Sequence, residues 1–421
     1  MKIGFITQWY SPEPASAAHP TAVANALVDA GHEVTVLTAF PNYPTGRFLH
    51  PRPRGPFRRE SLGGVRLNRV LHYPNHDDSA RKRVASYVSF AASATAALGT
   101  MAHCDVCLVY CTPATVAIPA VILRTLTQVP FVLYVQDLWP DSVTASGFVG
   151  SPLVNRFMTR QLSRYCASIY RRASAVAVIS PSMRDLLLER GVDDDKLITI
   201  YNWVDEEVFH PVSRPSSASS HFELMYAGGL GEVQGLESVV EAMQLLRCRD
   251  DIRLTFVGAG VAESCLRSRV AELDLQNSVR FEPPRGLRDM AETIASADAQ
   301  LVSLRGEPFL ATTLPSKVQA SMACAAPIIC SAPGAAARIV TDAGAGFAVE
   351  PGRPDALAGG ITDMASASRA ERSAMGNRGL AYYRTNLSRS VGAARLLETL
   401  RTAATDRRSR RIRRRECRSA T

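Results

Sequence analysis

The chain has 421 residues, of which 46% are apolar, 21% charged and 7% aromatic, the composition of ordinary globular domains. This length is sufficient for two or three domains, each with its own core. The net charge is +9, but the last sixteen residues carry eight arginines against Asp406 and Glu416 and so contribute +6 of it. The other 405 residues carry only about +3. This distribution argues against a globular nucleic-acid-binding protein and indicates a basic tail.

The nine cysteines form no CxxC pair and no regular series. Five of them lie inside apolar segments, as small core residues do: Cys104, Cys107, Cys265, Cys324 and Cys330. Met1–Thr7 reads as the start of the chain followed at once by an apolar strand, and not as a signal peptide. These features predict a protein of the reducing cytoplasm.

The first half of the chain alternates short apolar runs with helical patterns, which predicts β–α–β units and a parallel sheet. The predicted strands are Lys2–Thr7, Glu33–Thr38, Val65–Leu71, Val106–Tyr110, Phe131–Val135, Ala175–Ile179 and Ile198–Tyr201. The predicted helices are Pro20–Ala30, Ala114–Leu126, Pro152–Arg171 and one that Ser180–Pro181 begins and Arg190 ends. Pro41–Pro56 is a long proline-containing loop of the kind that often carries function.

The uncharged segment Val84–Cys104 follows Arg81–Lys82–Arg83 and has the length of a membrane span. Ala, Ser and Thr dominate it, and its larger residues recur at helical spacing on one face: Tyr87, Phe90, Ala94, Leu98 and Met101. We expect a helix packed on the sheet, and a helix lying on a membrane surface is the main alternative. A transmembrane helix is the least favoured interpretation.

The second half repeats the alternation, with predicted strands near 223–227, 252–257, 279–282, 299–304, 327–330 and 346–349. The sequence therefore predicts an α/β protein with two doubly wound domains and a cleft between the carboxyl edges of their sheets. The predicted domains are residues 1–205 and 222–385, joined by a Pro- and Ser-rich linker at 206–221. Residues 386–403 are predicted as a terminal helix that packs back on the first domain, and 404–421 as a disordered basic tail.

The stretch Glu223–Met243 reads as a strand, a glycine-rich turn and a helix from about Leu236. Such a turn surrounds an empty position with backbone N–H groups at the positive end of a helix dipole, where a pyrophosphate binds well. An ordinary tight β–α connection is an equally open alternative. The glycine spacing is not GxGxxG, and the next strand ends in Gly258–Ala259–Gly260 without the acidic residue that NAD requires. The turn thus predicts a phosphate site and argues against NAD.

Polar residues that follow predicted strands are the candidates for ligand contacts. In the first domain they are Glu13, His19, Asn42, Asp137 and Asp141. Asp137 stands where a carboxylate can orient or deprotonate an acceptor hydroxyl, although it and Asp141 also suit the capping of a turn. His19 suits a sugar or phosphate oxygen, but a structural role at the start of a helix is favoured.

The second domain offers the glycine turn, Gln234, Glu307, Ser316 and Lys317. Pro315–Ser316–Lys317 opens a helix after a loop, so the helix start and the lysine predict a second anion site. A solvated lysine on an amphipathic helix is the alternative. No His and carboxylate have the spacing of metal ligands, and no DxD motif follows a strand. We therefore predict no protein-bound metal and no cofactor.

Several segments, in their order along the chain, resemble one family: AGHEVTVLT at 30–38, SPSMRDLLLERGV at 180–192, YNWVD at 201–205 and VGAG at 257–260. They are similar to the family-4 retaining glycosyltransferases of the GT-B fold. PNYPTG at 41–46 and VQDLWPDSV at 135–143 resemble the WbuB-like branch. That branch builds bacterial surface polysaccharides and includes L-fucose and N-acetyl-L-fucosamine transferases. The resemblance covers about residues 1–400.

The resemblance implies that the second domain binds a nucleotide-diphosphate sugar and the first a polyprenyl-linked saccharide, with the protein peripherally attached to the cytoplasmic face of an anionic membrane. No nucleic acid is implied. Combined with the post-strand residues, it gives a donor site of Gly228, Gly229, Gln234, Gly258, Pro284, Arg285, Ser316, Lys317 and Gln319. The acceptor is expected beside His19, Asn42 and Asp137, and catalytic roles fall to Asp137 and Lys317.

Two departures from the family pattern bear on activity. Many members carry an arginine and a lysine around the glycine turn, where this chain has Gly229 and Gln234. Many also carry two glutamates eight residues apart, and the matching positions here are Thr312 and Ala320. Lys317 is the candidate for the missing charge, and Gln319 for the ribose contact. A nucleotide-sugar 2-epimerase of the same fold and a non-catalytic scaffold of polysaccharide assembly are the alternatives.

Overall fold

The structure, a computed structural model, describes residues 1–13, 17–43, 45–49, 53–75, 79–145, 152–213 and 221–419. Only the backbone is described for residues 80, 144–145, 152–154 and 406–419. The chain forms two compact units, one of Met1–Tyr201 with Gly392–Thr421 and one of Asn202–Val391. Each is built around a sheet whose central strands are apolar and buried, as parallel strands covered by helices on both faces require.

The first sheet has eight strands in the order β3-β4-β2-β1-β5-β6-β7-β8, all parallel except the pair β3–β4. Its strands are Lys2–Ile6 (β1), Glu33–Ala39 (β2), Phe57–Leu62 (β3), Val65–Val70 (β4), Val106–Cys111 (β5), Phe131–Val135 (β6), Ala175–Val178 (β7) and Leu197–Thr199 (β8). Its helices are Ala18–Asp29 (α1), Ala80–Ala96 (α2), Ala117–Thr127 (α3), Asp141–Ala145 (α4), Pro152–Arg172 (α5) and Pro181–Glu189 (α6). Every strand predicted for the first half is present, which confirms the parallel sheet.

Strand β3 has no counterpart among the predicted strands. It runs antiparallel to β4 across a turn at Gly63–Gly64 and forms the edge of the sheet. Its sequence, FRRESL, is largely charged, which a half-exposed edge strand tolerates and which discourages pairing with other chains. A charged edge strand therefore lacks the apolar run by which the buried strands are recognised.

Helix α2 packs on the first sheet and is followed by a 3₁₀ turn at Leu98–Met101. Four of the five residues of the predicted apolar face are buried: Phe90, Ala94, Leu98 and Met101. Gly4 of β1 makes room for this packing, because a Cβ atom there would lie 3.0 Å from the Met101 sulfur. The prediction of a helix packed on the sheet is confirmed. No helix within the described residues is both long and apolar enough to cross a membrane.

The second sheet has six parallel strands in the order β11-β10-β9-β12-β13-β14. Its strands are Phe222–Ala227 (β9), Ile252–Val257 (β10), Val279–Glu282 (β11), Ala299–Ser303 (β12), Ile328–Ser331 (β13) and Gly346–Val349 (β14). Its helices are Leu236–Leu245 (α7), Glu263–Glu272 (α8), Met290–Ala295 (α9), Ser316–Ala323 (α10), Ala335–Asp342 (α11), Pro354–Ser366 (α12) and Arg369–Tyr382 (α13). Strand β9 stands near the centre of the sheet, so the glycine turn leaves the middle of its carboxyl edge.

Of the five cysteines predicted as core residues, Cys265 is exposed and the other four are buried. Cys265 lies on helix α8, whose buried residues are Leu266 and Val270. The expectation for Cys265 was wrong because its neighbour Leu266, rather than Cys265 itself, lies on the buried side of the helix.

The chain ends in helix α14, Arg389–Ser419, which follows a π-helical turn at Tyr383–Leu387. From Gly392 onward the helix belongs to the first unit, where Leu396 and Leu400 are buried. The backbone is helical through Ser419, whereas the composition predicts a disordered tail from residue 404. Arginine is a good helix former, so composition alone does not separate a charged helix from a disordered segment. Seven of the sixteen residues of the predicted linker, residues 214–220, lie outside the described residues.

Candidate functional site

The glycine turn after strand β9 packs backbone against backbone with the turn that follows β10. The Gly228 N–H donates to the Val257 carbonyl at 2.9 Å, and the Leu230 N–H donates to the Ala259 carbonyl at 3.0 Å. A Cβ atom on Gly258 (φ +154°) would lie 2.0 Å from the Gly228 carbonyl oxygen. The two turns therefore approach so closely that no side chain fits at Gly258.

Lys317 brings a positive charge to this turn from the start of helix α10. Its Nζ lies 4.6 Å from the centre of the Tyr226 ring. A Cβ atom on Gly228 would lie 2.6 Å from the Lys317 Cε and 2.7 Å from its Nζ, so the lysine lies directly against the glycine turn. Burial lowers the pKa of Lys317 to about 8, and the ammonium is still its main form at pH 7. A cation beside a glycine turn and a helix start is an arrangement suited to a phosphate.

No carboxylate among the described residues forms an ion pair with Lys317, and desolvation alone accounts for its lowered pKa. The ammonium makes a cation–π contact with Tyr226, which is weaker than an ion pair and does not neutralise the charge. Partly buried charges are usually paired. The unneutralised charge of Lys317 therefore points to an anionic ligand at the turn.

Gly229 and Gln234 contribute backbone contacts to the same turn. The Gly229 carbonyl accepts a hydrogen bond from the Tyr226 hydroxyl at 2.8 Å. The Gln234 carbonyl accepts one from Ser303 Oγ at 2.7 Å, which ties the end of strand β12 to the turn. These contacts fix the shape of the turn, and the predicted contacts of both residues with the donor stay predictions.

Arg305 is a second cation at this edge of the sheet that the sequence analysis does not single out as a site residue. Its N–H donates to the Val233 carbonyl at 2.9 Å, and its guanidinium lies 3.6 Å from the Glu237 carboxylate. The side chain is 46% exposed. Its position two residues after strand β12 could have identified it as a site residue, because ligand-facing loops of a parallel sheet begin there.

The loop that holds Pro284 and Arg285 of the predicted donor site is close to Gly258. The Gly258 N–H donates to the Glu282 carbonyl at 3.0 Å, which brings the end of strand β11 and the following Pro284–Arg285 near the turn. The Arg285 guanidinium pairs with the Glu282 carboxylate at 2.6 Å, and both side chains are exposed. The structure thus brings Gly228, Gly258, Lys317 and this loop together at one edge.

Gln319, Thr312 and Ala320 are all buried. The Gln319 side-chain amide donates to the Asn202 carbonyl at 2.7 Å. The Thr312 hydroxyl donates to the Phe309 carbonyl at 3.0 Å. The Gln319 amide is therefore engaged within the second unit, and the ribose contact assigned to it stays a prediction.

Asp137 of the first unit follows strand β6 and is exposed to solvent. The protein atoms around it nevertheless desolvate the carboxyl group and raise its pKa to about 6. Burial, and to a smaller extent the Asp137 charge, also raises the pKa of the Tyr110 hydroxyl. At pH 7 Asp137 is mainly ionised and is able to accept a hydrogen bond or a proton.

His19 lies in the first turn of helix α1, and its ring packs in a cluster of aromatic rings. Its Nδ1 is 3.1 Å from the Tyr110 hydroxyl oxygen, and its ring packs edge-on against Tyr134. Burial lowers the pKa of His19 to about 3, so the imidazole is neutral at pH 7. A neutral ring does not attract a phosphate by charge, and these contacts agree with the structural role that the sequence favours.

Asp141 and Asn42 are held by charged partners. Asp141 opens helix α4, and its carboxylate pairs with Arg190 at 2.7 Å. Asn42 is buried, and its backbone N–H donates to the Glu13 carboxylate at 2.8 Å. Among the described side chains, no three His, Cys, Asp or Glu residues are grouped so that they could hold a metal ion.

Two α/β units in one chain, each with a parallel sheet and candidate ligand residues at its carboxyl edge, are the architecture of the GT-B class of glycosyltransferases. Solved structures of this class confirm the fold. Anabaena Alr3699/HepE, in complex with UDP and glucose, matches 96% of this chain and 100% of its own, with a TM-score of 0.68 and 16% sequence identity.

The family follows from the sequence itself. Residues 16–203 match the model of the glycosyl transferase 4-like domain, and residues 214–381 match that of glycosyl transferases group 1. The two matches cover most of the chain, which therefore belongs to the group 1, family-4 type of glycosyltransferases.

Two curated relatives are glycosyltransferases by name. The probable glycosyltransferase WbjE of Pseudomonas aeruginosa is 27% identical over 263 residues, which are 60% of this chain and 64% of that protein. The putative colanic acid biosynthesis glycosyl transferase WcaI of Escherichia coli K12 is 26% identical over 310 residues, which are 70% of this chain and 74% of that protein.

Proposed function

We propose that this protein is a retaining, metal-independent glycosyltransferase of the WbuB-like branch. It transfers a sugar from a nucleotide-diphosphate sugar to a lipid-linked saccharide in bacterial surface-polysaccharide synthesis. The observation that carries the proposal is the unneutralised Lys317 ammonium against the Gly228 turn, because a diphosphate is the anion that such a turn binds best. The names of the relatives support it, since WcaI is assigned to colanic acid biosynthesis and the HepE structure holds UDP.

The proposed mechanism assigns the leaving group to the second unit. The backbone N–H groups of the glycine turn, the start of helix α10 and the Lys317 ammonium stabilise the negative charge that develops on the diphosphate. The acceptor hydroxyl attacks the anomeric carbon on the face from which the diphosphate departs, so the configuration is retained. A diphosphate oxygen receives the hydroxyl proton. Asp137 orients the acceptor hydroxyl through a hydrogen bond, and no strong protein base is needed.

Thermal unfolding in the presence of nucleotides tests the donor site. A ligand at one hundred times its dissociation constant adds about 2.7 kcal/mol to the free energy of unfolding. We expect one nucleoside diphosphate among UDP, GDP and ADP to raise the midpoint, with its sugar conjugates acting at the same site and NAD having no effect. The absence of a shift with every nucleotide diphosphate would reject the donor site and favour the non-catalytic scaffold.

We also propose that the protein attaches peripherally to an anionic membrane through helices of the first unit. Helix α3 packs between α2 and α5. Helix α2 contains three basic residues, α3 contains one and α5 contains five, and none of the three helices contains an acidic residue. The exposed side of α5 combines Arg156, Arg160 and Arg164 with Phe157 and Met158, which are 62% and 43% exposed. Each basic residue near an anionic surface contributes roughly 1 kcal/mol, and apolar side chains insert among the headgroups.

Sedimentation with phosphatidylcholine vesicles that contain phosphatidylglycerol tests this surface. Changing Arg156, Arg160 and Arg164 together to glutamine should weaken binding on the order of 10²-fold, because roughly 3 kcal/mol of attraction is removed. The same triple change at Arg247, Arg280 and Arg288 of the second unit is the control and should have little effect. Deleting Arg407–Thr421 measures separately how much the basic tail contributes to vesicle binding. Unchanged binding of the α5 variant at low salt would reject this surface.

A further inference from the structure

Glu13 is a buried carboxylate in the loop after strand β1, and it binds three backbone N–H groups. Its Oε1 accepts hydrogen bonds from the Asn42 N–H at 2.8 Å and from the Tyr43 N–H at 2.9 Å. Its Oε2 accepts one from the Tyr10 N–H at 3.2 Å. Glu13 is only 5% exposed. One carboxylate therefore joins the loop after β1 to the loop after β2.

Arg69 of strand β4 holds the same two loops from the other side. Its guanidinium donates to the Ser11 carbonyl at 2.5 Å and to the Ala39 carbonyl at 3.4 Å. It also pairs with Glu60 of strand β3. Burial raises the pKa of Glu13, while its backbone hydrogen bonds and the Arg69 charge act in the opposite direction. The two buried charges form a clamp across neighbouring loops.

The clamp sits where a ligand of the first unit is expected. Strands β1 and β2 are parallel neighbours, so both loops leave the carboxyl edge of the sheet, where open α/β sheets bind their ligands. The loop after β2 is closed on itself, because the Gly46 N–H donates to the Asn42 carbonyl and the Leu49 N–H to the Pro41 carbonyl, both at 2.9 Å. The Asn42 and Tyr43 amides are the points at which Glu13 fixes this folded loop to the β1 loop.

A purely structural role does not account well for this carboxylate. Among the described residues Glu13 forms no ion pair, since Arg69 pairs with Glu60 instead, and burying an unpaired carboxylate is costly. The three residues of the described chain that bond the Glu13 carboxylate, Tyr10, Asn42 and Tyr43, all lie in loops. What it fixes is the position of one loop relative to the other, and such loops recognise ligands when a rigid sheet holds them in place.

We infer that Glu13 is a positioning residue for the saccharide acceptor, acting through the Asn42–Tyr43 loop that its carboxylate fixes. This inference rests on the proposed transferase activity and deepens it. Loss of the clamp frees the loop, and the acceptor must then order it on binding. The donor, which is assigned to the second unit, does not depend on it. Glu13 therefore sets the KM for the acceptor and leaves the KM for the donor unchanged.

The test compares Glu13→Ala and Glu13→Gln with the parent protein. The acceptor is the lipid-linked saccharide extract of the producing cells, and the donor is the nucleotide sugar found by thermal unfolding. We expect Glu13→Ala to raise the acceptor KM about tenfold or more, as the loss of one to three buried hydrogen bonds implies. The donor KM and the hydrolysis of donor by water should stay within about twofold. Glu13→Gln should recover most of the loss, because its amide oxygen still accepts from Asn42 and Tyr43.

Asp298→Ala is the matched control for loss of stability. Asp298 is also a buried carboxylate, and it accepts the Glu223 N–H at 2.9 Å and the Arg372 guanidinium at 3.2 Å at the amino edge of the second sheet. Its loss should lower the thermal midpoint without changing the acceptor KM. An unchanged acceptor KM in Glu13→Ala, or an equal rise in both KM values, would overturn the inference. Absence of transfer by the parent protein would instead refute the proposed function.

Discussion

Replacing Lys317 by alanine should lower the rate of glycosyl transfer about 10²- to 10³-fold, which is the usual effect of removing one preorganised group that stabilises a leaving anion. The charge lies against the Gly228 turn without a carboxylate partner among the described residues, so a bound diphosphate would be its principal counterion. The fold should persist. The lowered pKa of Lys317 means that the folded protein disfavours the ammonium, and its removal relieves that cost.

Two variants make this result specific. Lys317→Arg keeps the charge and should retain more activity than Lys317→Ala, although its planar group needs more room beside Gly228. Lys196→Ala makes the same chemical change at a lysine that pairs with Asp193 on the first unit, and its activity should equal that of the parent. Steady-state transfer rates with saturating donor test whether Lys317 stabilises the leaving diphosphate. A near-normal rate in Lys317→Ala would show that Lys317 has no part in the mechanism.

The pH dependence of kcat/KM is a second readout of the same prediction, because it reports the pKa values of groups in the free enzyme. Lys317 loses its positive charge as the pH rises through about 8, so activity should fall on that side. Asp137 loses its negative charge as the pH falls through about 6, so activity should also fall on the acidic side. The alkaline limb should disappear in Lys317→Ala, and the acidic limb in Asp137→Asn.

The sequence predicts the strands and helices that contain an apolar run. It does not predict those that consist largely of charged residues. Strands such as Val106–Cys111 are apolar at every position because helices cover both faces of the sheet. Strand β3 is charged because it lies at an edge, and the continuation of α14 to Ser419 is also charged, although arginine is a good helix former. For β3 the composition reports the solvent exposure of the segment rather than its backbone conformation.

The site shows a similar division. Glycines and a lysine after strands could be identified because the carboxyl edge of a parallel sheet brings such residues together, as it does for Gly228, Gly258 and Lys317. The partners of Glu13 and Gln319 could not be predicted, since Glu13 binds Asn42 from 29 residues away and Gln319 binds Asn202 from 117 residues away. Both contacts involve a loop, and the position of a loop residue depends on turn geometry, which no periodic pattern in the sequence encodes.

Gly258→Ala should be the most damaging single-methyl change at the donor edge. The new Cβ atom would lie 2.0 Å from the Gly228 carbonyl oxygen, and the φ of +154° is unfavourable for any side chain. Neither backbone can move away cheaply, because the Gly228 N–H is bonded to the Val257 carbonyl and the Gly258 N–H to the Glu282 carbonyl. Strain and overpacking together should cost on the order of 3 kcal/mol of unfolding free energy.

Gly359→Ala on helix α12 is the control, since a Cβ atom there would have no heavy atom within 4 Å and the residue lies outside the predicted donor site. It should unfold at nearly the same denaturant concentration as the parent and should still be stabilised by the nucleotide. Gly258→Ala should unfold earlier and lose that stabilisation, because separating the two turns also displaces the backbone N–H groups that we propose as ligands of the diphosphate. If both variants bound nucleotide equally well, the close approach of the two turns would be a feature of the fold alone, and the diphosphate would have to be bound mainly by Lys317.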